Sequence, residues 1–416
     1  MQENRELECC VAANARAGYA AYVAFVCILV IRSVERLYFH KQIVPGNVFL
    51  LPVVIYIAVL VAGVFPRPLR FRVPSTGALS LAIVLLPLLS ICVHVLQRSD
   101  AYDIYGRSSL DYSIFIYVFG LVWFFLGAIF SISIGPRLPA RLPTIVFACL
   151  VILLIYGSSE GGRVNYSQLR EANEIAVLSH LWITESAIVL FFLAYVQIKP
   201  AWLRLIFFVA IMSALFLVGG RSSFIFAAVA LIVYEVLASE ATAKSMLLRF
   251  LVVLGVFGGL VIVASTQVDE HVISRLLLTQ GVQADGSWIE RRNAVAVGAP
   301  LLWDQLLFGG PHLYVSALGN LGWYIHDIRS AWQFFGFPFF LGACALYAFA
   351  IRSLWVGRER IKRDEAYGFS ALFLIFVALA MLNTVFIGSP WFWFAMGLWF
   401  AKAQIPVLFS SSERRW

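Results

Sequence analysis

Residues 201–238 read AWLRLIFFVAIMSALFLVGGRSSFIFAAVALIVYEVLA. Two apolar runs, each about long enough to cross the roughly 30 Å hydrocarbon core of a bilayer, flank a Gly-Gly-Arg-Ser-Ser turn at 219–223. The whole chain continues this pattern, because 61% of its 416 residues are hydrophobic and only 13% are charged. A soluble domain has roughly 25% charged residues. This composition excludes an ordinary soluble globule and predicts a polytopic membrane protein.

Similar apolar runs recur along the chain and predict an all-α transmembrane helical bundle of about twelve spans. We interpret residues 1–416 as a single integral membrane domain. The predicted spans are 17–31, 48–65, 77–96, 112–134, 142–157, 175–197, 201–218, 222–238, 247–265, 333–351, 367–387 and 390–406.

The basic residues indicate the orientation of the bundle. Of the 31 Lys and Arg residues, 19 lie on the side that holds both termini, which the positive-inside rule makes cytoplasmic. The segment 32–47 departs from this rule, since it carries Arg32, Arg36 and Lys41 on the other side. The net charge of +8 is thus explained by membrane orientation, and we predict no nucleic-acid partner.

One connection on the outer side is much longer than the others. Residues 266–332 join the ninth and tenth predicted spans and are rich in Trp, Tyr, Arg and acidic residues. Connections of this length in a compact protein are usually functional. Within the loop, 272–279 and 294–308 are apolar enough to form short interfacial helices, and Gly309-Gly310-Pro311 ends the second. We therefore expect a small folded loop at the outer surface.

Three sets of side chains on the outer side suit the binding of a phosphate or the transfer of a proton. Arg221 follows two glycines at the start of a helix, where an anion is favoured, although an Arg that anchors a helix end to lipid headgroups would look the same. Arg291 and Arg292 offer bidentate recognition of diphosphate, although an isolated basic pair beside Glu290 is more commonly a solvated face.

The third set lies just before the tenth span. His326 is preceded by Tyr324 and followed by Asp327, a carboxylate able to orient the imidazole. Such a histidine can accept a proton from an attacking hydroxyl group. The alternative is an interfacial histidine anchored beside Tyr324. Other histidines have no ligand-like spacing, so we predict neither a metal nor a cofactor.

These features, in this order, resemble the bacterial O-antigen polymerase and O-antigen ligase superfamily. The resemblance covers roughly residues 201–345: an Arg in a Gly/Ser turn, a long outer loop that holds Arg, a Gly-Gly break, and Tyr-Ile-His before a helix. It implies a GT-C-like integral-membrane glycosyltransferase in the bacterial inner membrane, with its active site in the large periplasmic loop. It also implies donor and acceptor glycans linked to polyprenyl (undecaprenyl) diphosphate, together with membrane lipids and a chain-length regulator as partners.

The resemblance also implies roles for individual residues. Arg221, and either Arg291 or Arg292, would bind the donor diphosphate, while His326 would position or activate the acceptor. Asp327 stands where the family commonly has Asn. The predicted catalytic residues are His326, Arg221 and Arg292, and the predicted substrate-binding residues are Arg291, Tyr324, Asp327, Arg329 and Arg275.

The predicted reaction needs no metal, since preorganised Arg side chains can stabilise the charge that grows on a leaving diphosphate. Attack by an acceptor hydroxyl group from the opposite face would invert the anomeric carbon. The Tyr-Ile-His motif and the Gln-Phe-Phe-Gly stretch at 333–336 are more like the polymerases than the ligases. We therefore expect a polymerase of lipid-linked repeat units that builds O-antigen or a related surface polysaccharide.

Two alternatives remain open from the sequence. One is the O-antigen ligase, which transfers the glycan to the lipid A core. The other is a transporter of polysaccharide or lipid-linked glycans, to which many spans and the mid-span acid Glu185 are equally suited. Transporters usually place paired polar groups at the midplane of repeated halves, whereas here the polar groups concentrate in one outer loop. That asymmetry favours an enzyme.

Overall fold

The computed structural model describes most of the chain from residue 75 onward. The described residues are 75–133, 137–157, 159–160, 163–164, 179–218, 221–238, 286–319, 327–382 and 387–402, together with positions 19, 22–23, 25–27, 29–30, 255 and 325.

Within these residues the regular secondary structure is helical, apart from one pair of very short strands and an isolated bridge between Tyr102 and Ser108, so the predicted all-α class is confirmed. The helices are α1 (Ser75–Gln97), α2 (Ser109–Ser133), α3 (Arg141–Gly157), α4 (Ser179–Gln197), α5 (Ala201–Val218), α6 (Arg221–Ala238), α7 (Gly286–Asp304), α8 (Pro311–Leu318), α9 (Arg329–Phe335), α10 (Phe337–Val356), α11 (Arg358–Arg363), α12 (Glu365–Ala380) and α13 (Pro390–Lys402). The strands β1 (Ser159–Glu160) and β2 (Arg163–Val164) pair antiparallel, with Ser159 opposite Val164.

Three described helices are long and apolar enough to cross a membrane, as expected of a helical membrane protein. They are Ser109–Ala128, Ala201–Val218 and Phe337–Val356. Shorter apolar helices accompany them at Ala82–Gln97, Arg141–Gly157, Thr184–Gln197, Ser222–Ala238 and Glu365–Ala380. Nine of the predicted spans coincide with helices α1 to α6, α10, α12 and α13. The predicted spans 48–65 and 247–265 lie outside the described residues except at position 255, and span 17–31 is described only in part.

The chain divides into two compact units. The first unit comprises Met1–Leu69, Ser133–Thr279 and Gly357–Phe376, and the second comprises Arg70–Ile132, Gln280–Val356 and Val377–Trp416. Each unit has its own apolar core.

The first unit is built around α4. Residues 187–194 of this helix are all fully buried, because α3, α5 and α6 pack around it. A helix that is apolar on all sides is the expected centre of such a packing.

In the second unit, α2 and α13 pack with their backbones in close contact. A methyl group on Gly127 would overlap the carbonyl of Phe394, and one on Gly397 would overlap the carbonyl of Phe124. Small residues at such crossings are typical of membrane helices, where van der Waals contact drives association. The same unit contains α1 and α10, which pack on each other and hold the loop segment described next.

The long predicted loop contains helices, as expected, but their limits differ from the prediction. The expected helix 294–308 begins earlier and ends earlier, as α7 (Gly286–Asp304), and residues 305–310 separate it from α8, which begins at Pro311. The expected segment 272–279 lies outside the described residues. The predicted span 333–351 is divided into α9 and α10 at Gly336, whose φ is +87°. The reason for this break is tertiary and is given below.

Candidate functional site

Residues 286–319 and 327–335, with Ile325, form a small folded element that we call the cap. Its centre is a cluster of buried side chains: Leu302 from α7, Tyr314 from α8, Ile325 and Trp332 from α9. The Tyr314 hydroxyl donates a hydrogen bond of 2.6 Å to the carbonyl of Gly298. Burial raises the pKa of the Tyr314 phenol, so it remains a neutral donor. The predicted loop is therefore held by a core of its own.

Backbone hydrogen bonds join the turn after α7 to the segment where α9 ends and α10 begins. The Gly310 N–H donates to the Gln333 carbonyl, and the Phe337 N–H donates to the Leu306 carbonyl, both at 2.9 Å. Gly336 lies directly against this turn, where any side chain would overlap the Leu307 carbonyl. Its positive φ and this close approach end α9 and divide the predicted span.

The same turn is also bonded to α1. The carbonyl of Phe308 accepts hydrogen bonds from the Ser90 hydroxyl, at 2.5 Å, and from Nε2 of His94, at 3.0 Å. Ser90 and His94 are almost completely buried. The cap is thus fixed to α1 and α10 by polar contacts that involve main-chain groups at every point, which makes it a rigid platform.

His312, at the start of α8, packs edge-on against His94 with the ring centroids 5.5 Å apart. Nδ1 of each ring is buried and has no hydrogen-bond partner in the structure. Burial, followed by the neighbouring His94, lowers the pKa of His312, while Asp100 opposes this shift. His312 is therefore neutral near pH 7. No local pattern pairs these two histidines, since they lie on elements far apart in the chain.

The loop between α1 and α2 is tied to the cap as well. The Ile104 N–H donates to the Gly319 carbonyl at 3.0 Å, just after α8. Within this loop, Asp103 accepts hydrogen bonds from the main-chain N–H groups of Tyr105 and Arg107 and from the Arg107 side chain. Burial alone would raise the pKa of Asp103, but these hydrogen bonds lower it below its usual value. The Asp103 carboxylate therefore stays ionised and holds the loop.

Two of the predicted substrate-binding residues bind each other. Arg329 donates from Nε and Nη2 to the carboxylate of Asp327, with the shortest distance 2.6 Å. This hydrogen bonding raises the pKa of Arg329, against the effect of burial. The pair has no net charge, and the Asp327 carboxylate also accepts the Arg329 main-chain N–H at 2.8 Å. Asp327 and Arg329 thereby fix the turn that leads into α9.

The two adjacent arginines of α7 differ in exposure. Arg292 is exposed, whereas Arg291 is half-buried. The buried side of α7 consists of Ala294, Gly298 and Leu302, which follow each other at intervals of four residues. Arg292 lies on the opposite side of the helix, so of the two it is the better placed to meet a ligand from outside the cap.

Most of the other predicted site residues are outside the described set. Arg275, Tyr324 and His326 are not described, and Arg221 is described only as the first residue of α6, in the first unit. Arg221 lies at a helix start, as the sequence predicted, and its binding of an anion stays a prediction. Of the remaining sites, Asp327 and Arg329 are brought together, and Arg291 and Arg292 share α7.

Among the residues that the structure describes, no three His, Cys, Asp or Glu side chains gather as a group that could hold a metal ion. Glu185 lies half-buried on α4.

No protein-family model, curated protein or solved structure matches the chain.

Proposed function

We propose that this protein is a bacterial inner-membrane glycosyltransferase that polymerises repeat units carried on polyprenyl diphosphate. In this proposal the chain has about twelve spans in a GT-C-like arrangement, with both termini in the cytoplasm and the cap in the periplasm. The observation that carries the proposal is the exposed Arg292 on a cap fixed to the ends of the apolar helices α1 and α10. An exposed cation on a helix held at that place suits a diphosphate whose lipid tail stays in the membrane.

The chemistry that we propose is an inverting transfer. A hydroxyl oxygen of the acceptor glycan attacks the anomeric carbon of the donor, and the bond from that carbon to the diphosphate oxygen breaks. The proton of the hydroxyl group passes to His326, and polyprenyl diphosphate leaves with the bonding electrons. Arg292 stabilises the negative charge that develops on the leaving group, and Arg221 stays a separate sequence-based candidate for that role. Arg291 and Tyr324 would contribute to substrate binding, as would Arg275.

The contrast between Arg292 and Arg329 sharpens this proposal. Arg329 is neutralised by Asp327 two residues away, so we assign the diphosphate to Arg292 and not to Arg329. A permanently charged, planar guanidinium can bind two phosphate oxygens at once, which the ammonium group of lysine cannot do in the same geometry.

The test is a surface-glycan gel of a strain deleted for this gene and complemented with variants. Arg292→Ala should collapse the ladder to core plus a single repeat, since removal of one such donor typically costs about 100- to 1000-fold in rate. Arg292→Lys should also be severely impaired. The matched control is Arg352→Ala, which removes another exposed arginine, from α10. A normal ladder with Arg292→Ala would refute the assignment of Arg292.

The same gel separates the polymerase from its alternatives. If the deletion removes all attached repeats while lipid-linked polymer accumulates, the protein is a ligase. If lipid-linked single units accumulate inside the cell, it is a transporter. Arg221→Lys and His326→Ala, expressed in the same strain, should each abolish the ladder. Near-normal activity of Arg221→Lys would contradict bidentate binding of diphosphate by this residue.

A further inference from the structure

Three stretches of chain meet around the side chain of Glu365 in the first unit. Lys199, in the turn between α4 and α5, forms an ion pair with Glu365 at 2.8 Å. The main-chain N–H of Leu138, just before α3, donates to the other carboxylate oxygen at 3.1 Å. Glu365 itself begins α12, two residues after α11 ends. One carboxylate, whose side chain is only 10% exposed, thus holds these three stretches side by side.

The surface that these stretches form is strongly basic. It comprises residues 137–142, 199–203 and 358–365, which we call the basic face. Seven of its side chains are Lys or Arg and three are Asp or Glu. Each of the three acids already has a basic partner: Lys362 for Glu359, Arg360 for Asp364 and Lys199 for Glu365. Four positive charges of this face are therefore not balanced by its acids.

Those four charges are arginines, and all four are exposed: Arg137, Arg141, Arg358 and Arg363. Within the part of the chain that the structure describes, none of them forms an ion pair. A guanidinium group is planar, permanently charged and able to donate to two phosphate oxygens at once. The basic face therefore offers four donors to an anionic partner from outside the protein.

Exposed apolar side chains begin beside the basic face and continue along α3 and α5. On α3 they recur every three or four residues and so follow one side of the helix: Leu142, Val146, Leu150 and Leu153. On α5, Trp202 and Ile206 are 64% and 57% exposed, and this helix is long and apolar enough to cross a membrane. Exposed apolar surface of this kind contacts lipid, and tryptophan is enriched where the hydrocarbon meets the headgroups. The basic face therefore lies at the level of the headgroups.

We propose that the basic face is a binding site for the headgroups of anionic membrane lipids. The four arginines bind the headgroup phosphates, while the acyl chains lie along the exposed sides of α3 and α5. Clusters of basic residues beside membrane helices bind acidic lipids in this way. Charge selects the occupant, because phosphatidylethanolamine carries an ammonium group beside its phosphate and has no net charge, whereas phosphatidylglycerol is negative.

This inference does not depend on the proposed glycosyltransferase activity. It also differs from the positive-inside rule, which derives an orientation from the number of basic residues but assigns them no ligand. The contact between Leu138 and Glu365, which are 227 residues apart in the chain, brings arginines from distant segments onto one surface. A lipid that binds there is held by the tertiary structure and not by one basic loop.

The test measures lipid binding to the full-length protein in a non-ionic detergent by native mass spectrometry. Phosphatidylglycerol and phosphatidylethanolamine with identical acyl chains are added in turn. We expect wild type to bind phosphatidylglycerol at least about tenfold more tightly. Arg137→Gln and Arg358→Gln should each weaken this binding about fivefold, as expected for the loss of one basic residue near anionic lipid. Binding of phosphatidylethanolamine should not change.

The matched control is Arg98→Gln in the second unit. Arg98 is also an exposed arginine, and it forms no ion pair with a described residue. Its removal should leave both affinities at their wild-type values. Arg358→Lys keeps the charge but loses the forked geometry, so its affinity for phosphatidylglycerol should lie between those of wild type and Arg358→Gln.

Thermal unfolding provides a second measurement and checks the fold of each variant. Phosphatidylglycerol should raise the unfolding midpoint of wild type and of Arg98→Gln more than phosphatidylethanolamine does, because a ligand that binds only the folded state stabilises it. The double variant Arg137→Gln/Arg358→Gln should unfold like wild type without added lipid. It should lose the extra stabilisation by phosphatidylglycerol.

Three results would overturn the inference. Equal affinity of wild type for the two lipids would show that headgroup charge has no role. Unchanged binding of phosphatidylglycerol by the double variant would place the lipid elsewhere on the protein. Binding of inorganic phosphate at these arginines, with no preference for phosphatidylglycerol, would assign the basic face to a soluble phosphate and not to a membrane lipid.

Discussion

The first unit and the cap use their polar groups in different ways. In the first unit, oppositely charged side chains form ion pairs: Lys199, in the turn between α4 and α5, with Glu365 at 2.8 Å, and Arg204 with Glu235 at 3.1 Å. Tyr195 also donates to Glu235, at 2.9 Å. The Arg204–Glu235 pair is only about one-fifth exposed, where a charge is costly without a partner.

In the cap, many of the hydrogen bonds between helices involve main-chain groups. The turn after α7 is bonded through Gly310 and Leu306 to residues of the α9–α10 junction, and Phe308 is bonded to side chains of α1. Arg292 therefore stays exposed while its helix is held firmly. The comparison teaches that breaking the ion pairs of the first unit should affect stability, whereas removing the exposed Arg292 of the cap should affect chemistry.

The largest effect that tests this comparison is expected at Gly336. A methyl group there would overlap the Leu307 carbonyl, and the residue has a φ of +87°. Gly336→Ala should lower the free energy of unfolding by at least about 3 kcal/mol, from overlap and backbone strain together. Thermal unfolding of the protein in detergent measures this loss, with size-exclusion chromatography used to quantify the folded fraction.

Gly106→Ala is the control, because it tests backbone strain at a positive φ without steric overlap of the added methyl group. Gly106 has a φ of +72°, but nothing lies within 4 Å of the position of an added methyl group. We expect a loss of about 1 kcal/mol. Equal losses for both variants would show that the turn after α7 does not depend on the close approach at Gly336.

A second prediction concerns the ion pair in the first unit. Arg204→Met removes the cation beside Glu235, and both side chains of this pair are only about one-fifth exposed, 22% and 21%. We expect a loss of about 2 kcal/mol in stability, because a carboxylate between helices is then left without its counter-charge. Activity per folded molecule should be unchanged.

The control for this variant is Arg204→Lys, which keeps the charge and should retain most of the stability. The surface-glycan gel, normalised to folded protein, gives the activity. A lost ladder with a normal amount of folded Arg204→Met would contradict the division of roles between the first unit and the cap.

A third, smaller effect is expected inside the cap. Tyr314→Phe removes the hydrogen bond to Gly298 and leaves the ring in place. The expected cost is about 1 kcal/mol, typical of one hydrogen bond. Tyr102→Phe, at a tyrosine that is 69% exposed, should have no measurable effect on thermal unfolding. If both variants unfolded like wild type, the hydroxyl of Tyr314 would have no role in holding α7 on α8.

The smallest effect is a dependence of stability on pH at His312. Its pKa in the folded protein lies below the ordinary value of 6.5, so the unfolded chain binds a proton more readily than the folded one. The stabilisation is present above the ordinary pKa and is lost as pH falls toward the pKa of the folded state. Thermal unfolding at about pH 7.5 and about pH 5 measures this loss. His312→Gln should show a smaller difference between the two conditions, and an identical difference would exclude His312 as the titrating group.

The helices were the most predictable feature of the protein. Apolar runs such as 201–218 and 222–238 coincide with α5 and α6 within one residue at each end, because lipid demands long apolar segments whose backbone groups are bonded internally. A break between two helices near Gly309-Gly310-Pro311 was also predicted, but α7 already ends at Asp304, and Pro311 is the first residue of α8, a position where proline is favoured. That all predicted spans cross a membrane, and in which orientation, stays a prediction.

The arrangement around the cap could not be predicted in the same way. The division of the span 333–351 depends on a carbonyl from Leu307, which no pattern near Gly336 indicates. The pairing of Asp327 with Arg329 is local and could have been found from their spacing, but the sequence favoured a ligand for each. In the sequence Gln333 is an ordinary polar residue, and only the structure shows that its side-chain oxygen accepts the main-chain N–H of Ile325.

The sequence by itself determined that the protein is a helical membrane protein, where most of its helices lie, and that one long loop concentrates arginines and aromatic residues. These properties follow from composition and local periodicity, which each segment carries alone. The tertiary structure decided which of those side chains are exposed, which are neutralised and which hold the backbone. Such properties arise only when distant segments such as α1, α7 and α10 meet, because burial and hydrogen bonding depend on neighbours that the local sequence does not contain.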